Sequence, residues 1–297
     1  MKEGVLIDDA GNEYLIRGFI PRFVSGENYC HNFSVEWEKW PEILSSYSGY
    51  DVRFAKETKW GTRLTGQIIL EAGCGCGTFT PFALATGATV VSFDYSTGVE
   101  ANYQCNGSNP NVLIVQASIF EMPFANETFD KAFCFGVLQH TPDPHAGFSA
   151  LIGKLKPGGQ IAADIYLDPP EWARLERAKY YWRKRFAGKY EPNVLHHHIE
   201  RYVKTAWPIV RILERMGPVK KLNRWFLFDD YKTRLPNMDP KRYAEFAALD
   251  IFDFISPAYD SPETVEGFKA WFQDAGLTEI DVHQGYNGVE GRGRRPD

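Results

Sequence analysis

Between residues 66 and 167, short apolar runs alternate with segments of helical pattern, and this alternation constrains the fold more than any other feature. QIILEA (67–72), ATVVSFD (88–94), NVLIVQA (111–117), FDKAFCFGVL (129–138) and QIAADIYL (160–167) read as strands. Their near-continuous apolar character is what strands buried on both faces require. The gaps predict helices: one over about 78–86 stopped by Gly87, one starting near Ser96 as N-cap, and one over about 144–155 ended by Lys156-Pro157-Gly158-Gly159. Strand–helix alternation at this spacing implies right-handed crossovers and an open, mostly parallel sheet. Further on, Ser261-Pro262 predicts a helix start, with Val265, Phe268, Phe272 and Ala275 as its apolar stripe. Two final strands, at 277–283 and around 286–292, bring the sheet to seven, with helices on both faces.

The rest of the chain does not follow this rhythm. Residues 4–20 predict two short strands around the turn Asp8–Asn12, and the aromatic stretch 27–60, with Phe33, Trp37, Trp40 and Tyr50, predicts packed helices. The alternation stops at Asp168-Pro169-Pro170, and 171–256 reads as helical and irregular. Four parts follow: a hairpin and helical cap (1–60), a core (61–168), a helical insertion (169–256), and a C-terminal helix with two strands that complete the core (257–297).

Charge separates the same parts. The chain carries a formal −5, yet residues 171–224 hold 14 Lys/Arg against 5 Asp/Glu. That leaves a basic, aromatic insertion on an acidic remainder. Five cysteines without a CxxC pair (Cys30, Cys74, Cys76, Cys105, Cys134) argue against a disulfide framework or a structural zinc, and favour a cytoplasmic setting. No stretch is long and apolar enough to span a membrane, and the first residues lack an apolar signal segment. Net negative charge without a basic stripe across the sheet disfavours nucleic acid.

The segment Glu71-Ala72-Gly73-Cys74-Gly75-Cys76-Gly77 leaves an apolar strand and opens a helix. Glycines there let the backbone approach a ligand closely, and the helix start offers free N–H groups. A dinucleotide fold uses G-x-G-x-x-G to seat a pyrophosphate. Here the third position of that pattern is Thr78, so a nicotinamide cofactor is disfavoured. Asp94 ends the next strand, where a carboxylate can accept hydrogen bonds from both hydroxyls of a ribose. A lone glycine turn or a lone strand-end acid has an ordinary structural explanation; the pair is harder to dismiss.

The run IILEAGCGCGTFT, with VVSFDYS, VQASIFEMPFANETFDKAFCFGVLQHTPDP and LKPGGQIAADIY in that order, resembles the class I S-adenosylmethionine (SAM)-dependent methyltransferases of small-molecule and glycan type. The likeness covers roughly 66–167 and returns weakly at 257–297. It implies a Rossmann-like fold and SAM as cofactor. It also implies that Gly73, Gly75 and Gly77 surround the methionine part, with Glu71 among the cofactor-binding residues, and that Asp94, beside Tyr95, holds the ribose. Ser118 and Ile119 would flank the adenine, and Phe135 and Gly136 would lie under the sulfonium. The family often has an acid where Ser118 stands. An insertion at 169–256 would form a lid over the site.

Gln139 and His140 follow the fourth strand at the edge where α/β ligands bind. His140 could orient an acceptor or take its proton, although fixing a loop is the plainer role. Tyr50, Gln139, His140, Arg183 and Tyr259 are candidates for acceptor binding. Lys179–Phe186 mixes cations and aromatics, and Trp172, Leu175, Trp182 and Phe186 recur at near-helical spacing. Either an anionic acceptor or a solvated face explains these cations. His196-His197-His198 cannot all face one ion, so no metal is expected. The expected function is methyl transfer to an O or N atom of a small-molecule or glycan-linked acceptor. The alternatives are a quinone or lipid acceptor with peripheral membrane contact, and a non-catalytic SAM-binding module. Oligomeric state is not legible.

Overall fold

A computed structural model describes all residues except 25–28, 41–48, 169–177, 216–226 and 235–237. It divides into two compact units. Unit 1 comprises Met1–Asn28, Ser45–Asp168 and Asp260–Asp297; unit 2 comprises Tyr29–Leu44 and Pro169–Tyr259.

Unit 1 is built on one sheet. Its strands are β1 (Gly4–Ile7), β2 (Glu13–Arg17), β3 (Ile20–Phe23), β4 (Ile68–Ala72), β5 (Thr89–Asp94), β6 (Val112–Ala117), β7 (Phe129–Cys134), β8 (Leu155–Ile165), β9 (Thr278–Gln284) and β10 (Val289–Arg294). Among the described residues the sheet has ten strands, in the order β1-β2-β3-β6-β5-β4-β7-β8-β10-β9. Sequence had indicated seven. The three extra are an antiparallel N-terminal meander whose last strand pairs in parallel with β6 at Arg22↔Gln116 and Phe23↔Ala117. The five strands read from the alternating region pair in parallel with one another, and β10 runs antiparallel to β8 and β9.

Alternate residues of each buried strand serve opposite faces of the sheet. On one face Leu70, Phe93, Ala132 and Ile161 pack with Phe148, Phe268 and Phe272 from the helices Pro144–Lys154 and Val265–Asp274. On the other, Ile69, Val90, Phe133 and Ala162 pack with Phe54 and Ala83 from the helices Tyr50–Thr58 and Thr80–Leu84.

Several local expectations shift. The helix after β5 starts at Val99 with Gly98 as N-cap. Ser96 is not that cap: its hydroxyl donates to Asp94 Oδ1 at 2.6 Å and accepts from Gly98 N at 3.1 Å. The last helix starts at Val265, capped by the Thr264 hydroxyl accepting from Gly267 N at 2.9 Å. Pro262 therefore precedes the helix, because Glu263 is engaged in a parallel bridge with Leu167. Lys156-Pro157-Gly158-Gly159 does not separate helix from strand. It is a bulge inside β8, where the pairing with β7 jumps from Phe129↔Leu155 to Lys131↔Gln160.

Unit 2 is helical among its described residues: His31–Lys39, Ala178–Phe186, Pro192–Arg215, Tyr231–Arg234 and Tyr243–Ile255. The long helix buries Leu195, Ile199, Val203, Ala206 and Val210. Their three- and four-residue spacing makes one apolar stripe. Trp40 packs on His196 and Phe252 at 4.8 and 5.5 Å between ring centroids. No described helix is long and apolar enough to cross a membrane.

Candidate functional site

β4 ends at Ala72 and the chain turns through 73–77. Gly73 has φ +72°, and a Cβ there would meet Val137 Cγ2 at 2.2 Å. Gly77 has φ +82°, and its Cβ would meet Asn102 Oδ1 at 2.2 Å. Neither place admits a larger residue without displacing its neighbour. The turn is tied to the next strand, since the Gly73 and Cys74 N–H groups donate to Phe93 O at 2.8 and 3.0 Å.

β5 ends at Asp94, whose Oδ2 accepts Gly75 N–H at 2.8 Å. Its Oδ1 accepts the Ser96 N–H at 2.7 Å and the Ser96 hydroxyl at 2.6 Å. The carboxylate thus faces the glycine turn. Burial raises its pKa, and the bonds from Ser96 and Gly75 oppose that rise. Tyr95 follows, and its carbonyl accepts from Gln116 Nε2 at 3.0 Å, which ties the end of β5 to β6.

Beneath the turn lies a polar cluster that sequence reading only touched. Glu71 is buried, and its Oε2 accepts from the Thr80 and Ser92 hydroxyls at 2.6 and 2.8 Å. Asn102 Nδ2 donates to both hydroxyls, at 3.2 and 2.9 Å. Asn106 Nδ2 then reaches Asn102 Oδ1 at 2.9 Å and Gly77 O at 3.4 Å. Burial pushes the Glu71 carboxyl up to about 7, against the two hydroxyl bonds. This side chain shapes the turn from below.

After β6, Ser118 closes a local turn: its hydroxyl accepts from Phe120 N and its carbonyl from Glu121 N, both at 3.2 Å. Ile119 is buried in the main core. After β7, Phe135 is buried and the Gly136 N–H donates to Asp164 Oδ1 at 2.5 Å.

Asp164 introduces a charged group that the sequence reading missed. It is fully buried on β8, and its Oδ2 accepts from Arg53 Nη2 at 2.5 Å. Arg53 also donates to Glu57, another buried acid. The guanidinium sits 5.1, 5.8 and 5.2 Å from the ring centres of Phe79, Phe135 and Tyr286. Burial raises both carboxyls, with Glu57 reaching about 8, while Arg53 pulls each back down. Tyr50 stands at the start of the helix that carries Arg53, its ring edge-on to Phe79 at 5.3 Å. One acid in the otherwise apolar run QIAADIYL was the only available signal for Asp164.

Gln139 and His140 lie on a short 3₁₀ turn, Leu138–His140. Gln139 is fully buried, and among the described residues neither atom of its amide has a hydrogen-bond partner. An orphaned buried amide costs about 1–3 kcal/mol, so this one is held for a purpose or by the packing around it. His140 is buried edge-on to Tyr166 at 5.4 Å.

The remaining candidates belong to unit 2. Arg183 donates to Phe254 O at 2.6 Å and Pro257 O at 3.0 Å, which commits its guanidinium to the carbonyls at the end of the helix Tyr243–Ile255. Tyr259 lies edge-on to Tyr29 at 5.5 Å. His196 is buried beneath Trp40 with Glu200 at 3.6 Å, and burial lowers its pKa. Among the described residues no three His, Cys, Asp or Glu side chains are grouped to hold a metal ion. Trp172 and Leu175 lie outside the described residues.

Residues 70–163 match the methyltransferase domain family. The chain is 32% identical to the demethylmenaquinone methyltransferase of Clavibacter sepedonicus over 108 residues, 36% of this chain and 44% of that protein. It is 33% identical to a ubiquinone biosynthesis O-methyltransferase of Pseudomonas fluorescens over 104 residues, 33% of this chain and 44% of the relative. The chain thus spans less than half the length of the curated relatives it matches. A solved SAM-dependent methyltransferase from Aquifex aeolicus is 12% identical, with a TM-score of 0.46 over 89% of this chain and 97% of that one. The match to the methyltransferase domain family over residues 70–163 thus contains the strand–glycine turn–acid order described above.

Proposed function

We propose that the protein transfers a methyl group from SAM to an O or N atom of a small-molecule or glycan-linked acceptor. The observation that carries the reading is the hydrogen bond from Gly75 N–H to Asp94 Oδ2, which brings the strand-end acid and the glycine turn to one edge of the sheet. SAM supplies a methyl group on a sulfonium, open to in-line displacement by the acceptor atom.

The residues present fit that cofactor in kind. SAM has no phosphate, and the turn offers backbone rather than a cationic cradle. Asp94 accepts from the Gly75 and Ser96 N–H groups and from the Ser96 hydroxyl, and the Tyr95 N–H also favours its carboxylate. A ribose hydroxyl would therefore share its oxygens with these donors, and the Ser96 hydroxyl is free to turn toward another acceptor. Glu71 acts from below the turn through Thr80 and Ser92 rather than by contact. Phe135 and Gly136 form an apolar wall braced through Asp164 and Arg53. The orphaned Gln139 amide supports a role in binding cofactor or acceptor. His140 is the proposed proton acceptor for a hydroxyl substrate. Alignment and exclusion of water supply most of the rate in such a displacement.

Calorimetric titration of the full chain with SAM, S-adenosylhomocysteine and NAD tests the cofactor. SAM and its product should bind and NAD should not, and Asp94→Ala should weaken SAM at least tenfold. Binding of NAD alone, or an unchanged Asp94→Ala, would refute the reading. Transfer of radiolabelled methyl from SAM into a small-molecule extract tests the acceptor class, and label only in macromolecules would refute it. A quinone acceptor is the second reading, favoured by the names of the two curated relatives.

A further inference from the structure

Unit 2 contains a hollow of about 490 Å³ whose walls are apolar. Trp182, Phe186, Leu195, Tyr202, Ile251 and Ile255 form most of it. Trp182 and Phe186 stack at 5.5 Å. Tyr202 stacks on Phe228 at 5.7 Å, and burial pushes its phenol up to about 12. Sites for small ligands span about 300–1,000 Å³, so the hollow has the size of a ligand site. Among the described residues its surface is mostly apolar, with His198, Tyr190 and Tyr202 among its polar members, which favours an apolar chain over a sugar or a nucleobase in the hollow itself.

A second, more open hollow of about 390 Å³ is formed by Tyr181, Lys184, Arg185, Lys189 and Tyr190. Tyr190 lines both hollows. Helix Ala178–Phe186 serves both too, with Trp182 and Phe186 on the apolar side and Tyr181, Lys184 and Arg185 on the basic one. The three cations are exposed, and among the described residues no acid lines either hollow. Three cations beside an apolar chamber complement a molecule with one anionic end and one apolar chain.

We propose that unit 2 binds a single-chain amphiphilic anion as a monomer. The chain occupies the apolar hollow, and a phosphate or carboxylate head lies on Lys184, Arg185 and Lys189. The proposal does not depend on methyl transfer; Lys189 Nζ also donates to Lys184 O at 3.1 Å, which leaves two of its protons for the head group, while Arg183 reaches the carbonyls of Phe254 and Pro257.

The probe is a series of alkyl phosphates from butyl to decyl, below their micelle concentrations, titrated into the full chain by calorimetry. Affinity should rise about fourfold per methylene until the hollow is filled, since each buried methylene contributes that factor. Lys184→Glu with Arg185→Glu should weaken decyl phosphate at least tenfold, and Ile251→Trp should weaken decyl more than butyl phosphate. SAM titration should be unchanged in both variants, which separates failure here from failure of the methyltransferase reading. If Ile251→Trp does not fold, the exposed charge-reversal pair and the chain-length series decide. Inorganic phosphate competing as well as decyl phosphate, no dependence on chain length, an unaffected charge-reversal variant, or binding to anionic vesicles without binding of monomers would each overturn the proposal.

Discussion

Removing the charge of Arg53 should be the most damaging single change near the sheet edge. Arg53→Met keeps the length and apolar stem of the side chain but leaves Asp164, with 0% exposure, and Glu57, with 2%, without their cation. Breaking a buried pair by deleting one partner costs about 3–5 kcal/mol. At about 2–4 °C per kcal/mol, the melting temperature should fall by roughly 6–20 °C. The loss should depend on pH. Glu57 is raised to about 8 from 4.5, so between those values the folded chain holds a proton that the unfolded chain has lost. Stability therefore falls as pH rises through that window. Without Arg53 both carboxyls lose the cation that pulls them down, so the fall should be steeper and extend to higher pH. Thermal melts at pH 5 and pH 8.5 should show the larger deficit at the higher pH. Adding Glu57→Gln and Asp164→Asn to Arg53→Met should recover much of the loss, because no charge is then stranded. A deficit under about 1 kcal/mol, or one equal at both pH values, would refute the electrostatic account and leave only lost packing.

Three further outcomes follow from the same geometry. Gly73→Ala places a Cβ 2.2 Å from Val137 in a left-handed conformation, so SAM affinity by calorimetry should drop at least tenfold, with partial return in Gly73→Ala/Val137→Ala. Glu71 is raised to about 7, so it should add to the loss of stability of the wild type as pH rises from about 4.5 to 7, and Glu71→Gln should make that slope shallower in pH-dependent melts, leaving the share of Glu57. Phe272→Ala, at a fully buried ring packed on Phe148 at 4.7 Å, should cost about 3–5 kcal/mol in chemical denaturation.

The sheet was legible because parallel strands buried on both faces leave an unmistakable apolar run, and β4 to β6 fall within one residue of expectation; β7 ends at Cys134, four residues before the end of the apolar run FDKAFCFGVL. The glycine turn and Asp94 were legible for a different reason: their chemistry is carried by residue types at fixed offsets from a strand end. What stayed hidden depends on distant segments meeting. Arg53 and Asp164 are 111 residues apart, and nothing local to Arg53 announces a buried partner. The third N-terminal strand was missed because IPRF is only four residues long and contains a proline, and its place comes from pairing with β6. The start of the last helix moved because the Thr264 cap and the Glu263 bridge outweigh the preference of Pro262 for a first turn. Nothing local to Arg183 announces that its guanidinium reaches the carbonyls of Phe254 and Pro257, 71 and 74 residues further along the chain.

The ladder from Glu71 through Thr80, Ser92 and Asn102 to Asn106 and the Gly77 carbonyl ties the glycine crook to buried groups beneath it. Backbone restrained from within has less freedom left to lose when something settles on it. Substitutions in this ladder should therefore slacken affinity from beneath, without any altered atom touching what is bound.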